Sequence, residues 1–156
     1  MTRWLDDEEM TAWRSLIETG ADLFRALELD LAEHGLTQGD YQVLVYLSES
    51  DGDRLRMTDL ACRLQLTPSG LTRRLDRLIA SGLVERMRSE DDGRVMLAVM
   101  TPSGRQLLER TAPHHVESVR RHMIDLLDRE ELRAIGSSFG KIRQHLDDRA
   151  GNGDLR

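Results

Sequence analysis

The residues best suited to chemistry lie between positions 67 and 94. Wound at about 100° per residue, the segment from Pro68 to Ser81 gathers Leu71, Leu75, Leu78 and Ile79 on one face. Ser69, Gly70, Arg73 and Arg77 point the other way, with Thr72, Arg74 and Asp76 on the flanks. Small and hydroxyl residues at the start of such a helix let its backbone sit deep in a groove. Arg73 could then reach a guanine edge bidentately, or a phosphate. An ordinary amphipathic surface helix has the same pattern, so the segment alone does not single out nucleic acid. The next stretch adds weight. Arg86 and Arg88 precede a polar tip, Ser89 to Arg94, and Arg94 leaves that tip just after Asp92-Gly93. An arginine at a hairpin tip, held by a nearby aspartate, suits the negative potential of a narrow minor groove.

Charge is distributed in the same sense. The 156 residues carry a formal net charge of −6. Residues 1–53 hold 3 basic and 13 acidic side chains, whereas residues 54–94 hold 9 basic and 6 acidic. The asymmetry says more about partners than the total does. Two absences narrow the function further. No Gly-rich phosphate loop, HExxH, GxSxG or paired metal carboxylates occur, so an enzyme is not expected and no cofactor is implied. Cys62 is the single cysteine, which excludes an internal disulfide framework or a Cys-rich zinc site. No run of 18 apolar residues exists, and the N-terminus is acidic without an apolar h-region, so a cytoplasmic protein is expected.

The elements that must position these groups are mostly helical. Residues 7–33 predict a long helix capped by Asp6 or Asp7, with Met10, Trp13, Ile17, Gly20, Phe24, Leu27 and Leu31 at heptad spacing. Gly35 ends it. Thr37 caps a second helix bearing Tyr41, Leu44, Val45 and Leu47, and Ser50 to Asp53 is a turn. Residues 57–64 predict a short helix capped by Thr58. A tight turn leads from it to the helix from Pro68, which Gly82 closes. Leu83–Arg88 and Val95–Met100 predict a β-hairpin. Thr101-Pro102 opens a further helix, which Pro113 should kink or restart. Val116, Val119, Met123 and Leu126 repeat the heptad spacing. Asp128 with Glu131 predicts a capping box opening the last helix, where Leu132, Ile135, Phe139, Ile142 and Leu146 share a face. The fold class expected is mainly α with a small β-hairpin: a winged helix-turn-helix flanked by N- and C-terminal dimerisation helices. The expected domains are a dimerisation helix (1–35), a DNA-binding module (36–108), dimerisation helices (109–150) and a frayed tail (151–156).

Leu60-Ala61, the run LTPSGLTRRLDRL from Leu66 to Leu78, Gly82 to Arg86, Asp92-Gly93-Arg94, and Leu97 through Thr101 to Gly104 together resemble the MarR (multiple antibiotic resistance regulator) family. The resemblance runs from about Leu36 to Leu108. It implies a winged helix-turn-helix transcription regulator acting as a symmetric dimer, usually a repressor released by a small ligand or an oxidant. DNA contacts would then fall to Pro68, Ser69, Gly70, Thr72, Arg73, Arg74 and Arg77 in the major groove, and to Arg86, Arg88, Asp92 and Arg94 around the wing. The family's ligand crevice, where the first, second and fifth helices meet the winged module, points to Trp13 and Tyr41 as lining for a phenolic or aromatic ligand; both would serve equally as core. The family's peroxide sensors carry their cysteine near the start of the first helix, where this chain has Trp13, so the thiol switch does not carry over and Cys62 reads as structural. His34, His114, His115, His122 and His145 read as solvated or capping residues, with His115 and His122 too far apart for one metal ion. The alternatives are a redox-responsive regulator using Cys62 and a winged-helix protein–protein adaptor without DNA binding.

Overall fold

The computed structural model describes residues 2–151, so residues 152–156 of the expected frayed tail lie outside the described residues. Six helices and three short strands follow in the order α1 (Asp7–Ala32), α2 (Gln38–Ser48), β1 (Arg54–Arg56), α3 (Met57–Arg63), α4 (Pro68–Ala80), β2 (Val84–Arg88), β3 (Met96–Met100), α5 (Pro102–His122) and α6 (Arg129–Gly151). The chain divides into two compact units, one ending at Ser118 and one beginning at Val119. Among the described residues no helix is long and apolar enough to cross a membrane.

Caps set most of these boundaries. Asp6 accepts the Glu9 amide while Glu9 accepts the Asp6 amide, a reciprocal box that starts α1. Thr37 and Asp40 do the same for α2, and Asp128 and Glu131 for α6. Thr67 caps α4 by accepting the Gly70 amide at 3.1 Å. Gly35 and Gly82 take positive φ just past α1 and α4, the left-handed conformation that a glycine adopts without steric cost.

The core of the first unit joins the end of α1 (Leu31), α2 (Val43, Leu44, Leu47), α3 (Leu60), α4 (Leu71, Leu75, Leu78) and the sheet (Val84, Ala98). Each fully buried leucine contributes about 1.5–3 kcal/mol by leaving water.

Four sequence expectations need correction. The hairpin is part of a three-stranded antiparallel sheet in the order β1-β3-β2, with Arg54 opposite Val99 and Val84 opposite Met100. Thr58 does not cap α3. The helix starts directly from Arg56, whose extended backbone belongs to β1, and the Thr58 hydroxyl lies 3.3 Å from Asp59 Oδ1. Pro113 does not restart α5, which runs through it to His122. The break comes later, at Met123, where a 3-10 turn over Ile124–Leu126 replaces the expected continuous heptad. Lastly, the α1 stripe is not one seam. Leu27 and Leu31 are buried within the chain, while Trp13, Ile17 and Phe24 stay more than half exposed.

The Thr101–Gly104 segment is a joint. Thr101 N–H donates to the Leu83 carbonyl at 3.0 Å, its hydroxyl to the Gly82 carbonyl at 2.6 Å, and the Gly104 amide donates back to that hydroxyl at 3.1 Å. The backbones approach so closely that a Cβ on Gly104 would overlap the Leu83 carbonyl oxygen. Backbone cannot yield as a flexible side chain does. Gly104→Ala should therefore lower folding stability by about 1–3 kcal/mol, while Ser103→Ala beside it, on an exposed position, should leave the denaturation midpoint almost unchanged.

Candidate nucleic-acid interface

Thr67, Pro68 and Ser69 at the start of α4 are exposed, and so are Thr72, Arg73 and Arg77; Gly70 and Arg74 are partly covered. Leu71, Leu75 and Leu78 face inward at 2 % exposure or less. The helix is thus held by one side and presents hydroxyls and guanidinium groups on the other. α3 packs beside it through Leu60 and Ala61, and Gln65 turns the chain between them with a φ of +53°.

The basic side chains do not all have the same freedom. Arg77 forms an ion pair with Asp40, a carboxylate only 2 % exposed, and its Nη2 donates to Thr37 Oγ1 at 2.9 Å. The Arg74 guanidinium occupies the space that a side chain on Gly39 would need. Arg86 is anchored to α4, donating to Asp76 Oδ1 at 2.9 Å and to the Thr72 carbonyl at 3.2 Å. Arg88 donates to the Gly93 carbonyl at 2.9 Å and so braces the wing tip. Asp92 does hold the tip, but through the backbone: its Oδ1 accepts the Arg94 amide at 3.0 Å. Arg94 itself is exposed at the end of the wing. These tethers join residues up to 40 positions apart, so no local pattern could have disclosed them. Asp40 and Glu28, whose carboxylate accepts the Gln38 amide at 2.6 Å, also belong to this site. The Thr37-x-x-Asp40 spacing is a sequence signal for Asp40, and no local pattern marks Glu28.

Trp13 and Tyr41 are not brought together within the chain. Tyr41 is buried, with burial raising its phenol pKa, and its ring lies 4.4 Å from that of His115. At 1.5 Å per helical residue, Trp13 lies about 27 Å along α1 from Leu31, where α1 enters the core. The histidines are not simply solvated. His34 stacks on His114 at 4.7 Å, and the buried Nδ1 of His115 and Oγ1 of Thr111 lack a hydrogen-bond partner. Among the described residues no three His, Cys, Asp or Glu side chains are grouped to hold a metal ion. Cys62 is exposed on α3.

A profile of the MarR family matches residues 34–95. AbsC, a MarR family transcriptional regulator from Streptomyces coelicolor, is 45 % identical over 94 % of this chain and 99 % of its own, with a TM-score of 0.91. The chain belongs to the MarR family. Its winged helix-turn-helix is that of a DNA-binding transcriptional regulator, not an enzyme. Sco3205, a MarR family regulator from the same organism solved in complex with DNA, is 37 % identical over 94 % of this chain and 92 % of its own, with a TM-score of 0.89. The transcriptional repressor YetL of Bacillus subtilis is 26 % identical over 88 % of this chain and 84 % of its own length.

His115 gives this MarR-family chain a measurable pH signature. Burial holds its imidazole pKa below the usual value. As pH falls below about 6.5 the unfolded chain takes up a proton that the folded chain resists, so stability present above that pH is lost on acidification. Melting temperature should fall between pH 7.5 and pH 5, and His115→Gln should fall less steeply over that interval.

Proposed function

We propose that the protein is a sequence-specific repressor that binds a pseudo-palindromic operator as a homodimer and is released by a small ligand. The observation that carries this is the exposed face of α4, with Ser69, Thr72 and Arg73 open beside the basic wing. Arg73 serves as the base-reading residue, Arg74 and Arg77 as phosphate contacts, and Arg94 as the minor-groove residue. Arg86, Arg88 and Asp92 hold α4 and the wing tip in shape rather than reading sequence. Support for DNA as the partner comes also from Sco3205, and for repression from the name of YetL.

Support for the dimer is the apolar surface that the single chain leaves open. Phe24 is 62 % exposed on α1, and Phe139, Ile142 and Leu146 are 45–49 % exposed on α6 at the spacing of one helix face. Pairing residues 7–33 and 116–146 with a second copy covers both faces. For the effector, the buried and unpartnered Thr111 Oγ1 and His115 Nδ1 beside Tyr41 favour a phenolic or aromatic ligand that donates and accepts hydrogen bonds there.

Two α4 helices related by a two-fold axis meet half-sites about one helical turn apart. Footprinting on the DNA beside the protein's own gene should protect an inverted repeat of about 15–20 bp, and a single asymmetric half-site would refute the symmetric reading. Arg73→Ala should cost about 1–3 kcal/mol and relax preference at one base pair per half-site. A phenolic acid should weaken binding of wild type more than of Tyr41→Phe; no effect from any member of a panel removes the ligand claim. Phe139→Asp should give a dissociated or unfolded chain by equilibrium sedimentation, because a carboxylate is expensive to desolvate in an apolar seam.

A further inference from the structure

The first turn of α2 does more than its own helix requires. Asp40 Oδ2 accepts the Thr37 amide at 3.0 Å and the Thr37 hydroxyl at 2.7 Å, which completes the cap. A cap needs no cation, yet the same oxygen is paired with Arg77, brought in from α4. Burying a carboxylate is costly unless it is paired and hydrogen-bonded, so the constraint is mutual. Asp40 is fixed by the helix it caps, and it fixes the guanidinium in turn.

What remains of Arg77 is as informative as what is used. Both Asp40 and Thr37 engage the same terminal nitrogen, Nη2. A guanidinium carries five N–H donors, so those on Nε and Nη1 are left over. The side chain is 53 % exposed. It borders an open cleft of about 450 Å³ lined also by Glu28, Thr37, Gly39, Asp40, Arg73 and Arg74. Both carboxylates are already engaged, Glu28 by the Gln38 amide and Asp40 by Thr37 and Arg77, so the three arginines outnumber the acids at an opening beside the exposed face of α4.

We propose that Asp40 is a positioning residue for recognition of the DNA backbone. It holds one nitrogen of Arg77 so that the remaining N–H groups meet a phosphate, one contact per half-site. The role rests on the DNA-binding reading given above. Arg77 is then a pre-oriented clamp, with less side-chain freedom to lose on binding than an untethered surface arginine. Arg73, one turn earlier and free of Asp40, is left to read bases.

A phosphate contact is independent of sequence, so a 30-bp duplex of random sequence is a sufficient probe. Its affinity should be measured by fluorescence anisotropy across a salt series for wild type, Asp40→Asn, Arg77→Ala and the double variant. Each single variant should bind more weakly at low salt, by about tenfold or more. Each should also flatten the dependence of log K on log salt by about one unit per protomer. The double variant, which strands no buried charge, should match Arg77→Ala and lose nothing further. Thermal melts of the same samples report folding. A slope left unchanged or made steeper by Asp40→Asn would overturn the proposal, because Arg77 would then be only a brace or a cation that Asp40 neutralises. Additive losses in the double variant, tracking melting temperature, would overturn it in favour of a purely structural Asp40. A wild-type protein whose binding does not depend on salt would remove the DNA reading itself, and this proposal with it.

Discussion

Everything that the surface of α4 can do depends on Leu71, Leu75 and Leu78 being out of water. These three side chains lock the helix against Leu60 of α3, the α2 leucines and the inner face of the sheet. Three leucines on one stripe of a 13-residue helix leave the opposite stripe without a packing duty, so Ser69, Thr72 and Arg73 can stay bare. A helix held by a broader apolar face would be more stable but would have no face to offer. A looser one could not hold its arginines in fixed positions relative to one another.

The elements that were legible in the sequence are those whose signals are local. The starts of α1, α2 and α6 follow from caps made by residues three apart, such as Asp6 with Glu9 and Asp128 with Glu131, and α4 is bracketed by Pro68 and Gly82. β1 was missed because three residues, Arg54 to Arg56, carry too little alternation to register. Only their pairing with Leu97 to Val99 makes them a strand. The Thr58 cap failed for the same reason: once Arg56 is extended by its partner strand, the helix can begin at Met57 without a side-chain cap. Pro113 shows the opposite case, a local signal for a restart that tertiary packing overrode. Thr111 and Ser118 on either side of it are buried, and Ser118 is hydrogen-bonded to Asp30 of α1. The helix is thereby held along its length at a proline that removes one backbone bond.

The candidate site divides along the same line. That α4 and the wing are basic was visible from residue types. Which arginines are free was not, because freedom is decided by partners far along the chain. Arg86 looks like a groove contact in sequence and acts in the structure as a strut between β2 and α4 through Asp76. Arg77 is bound to a buried carboxylate, while Arg94 stands exposed at the end of a tip whose backbone Asp92 pins. A count of basic residues measures attraction to a polyanion. Only the pattern of tethers separates groups that can adapt to a base from groups that hold a shape.

The same logic bears on the open apolar faces. Leu27 and Leu31 continue the α1 heptad but are spent on the chain's own core, whereas Trp13, Ile17 and Phe24 are not. A chain 32 % charged has ample polar surface, so large apolar side chains left at the spacing of one helix face signal a missing neighbour rather than a shortage of polar residues. The acidic N-terminal third adds a condition on that neighbour. With 13 acidic and 3 basic side chains in residues 1–53, a neighbour that is itself acidic is repelled at long range, and that repulsion is screened by salt while an apolar contact is not.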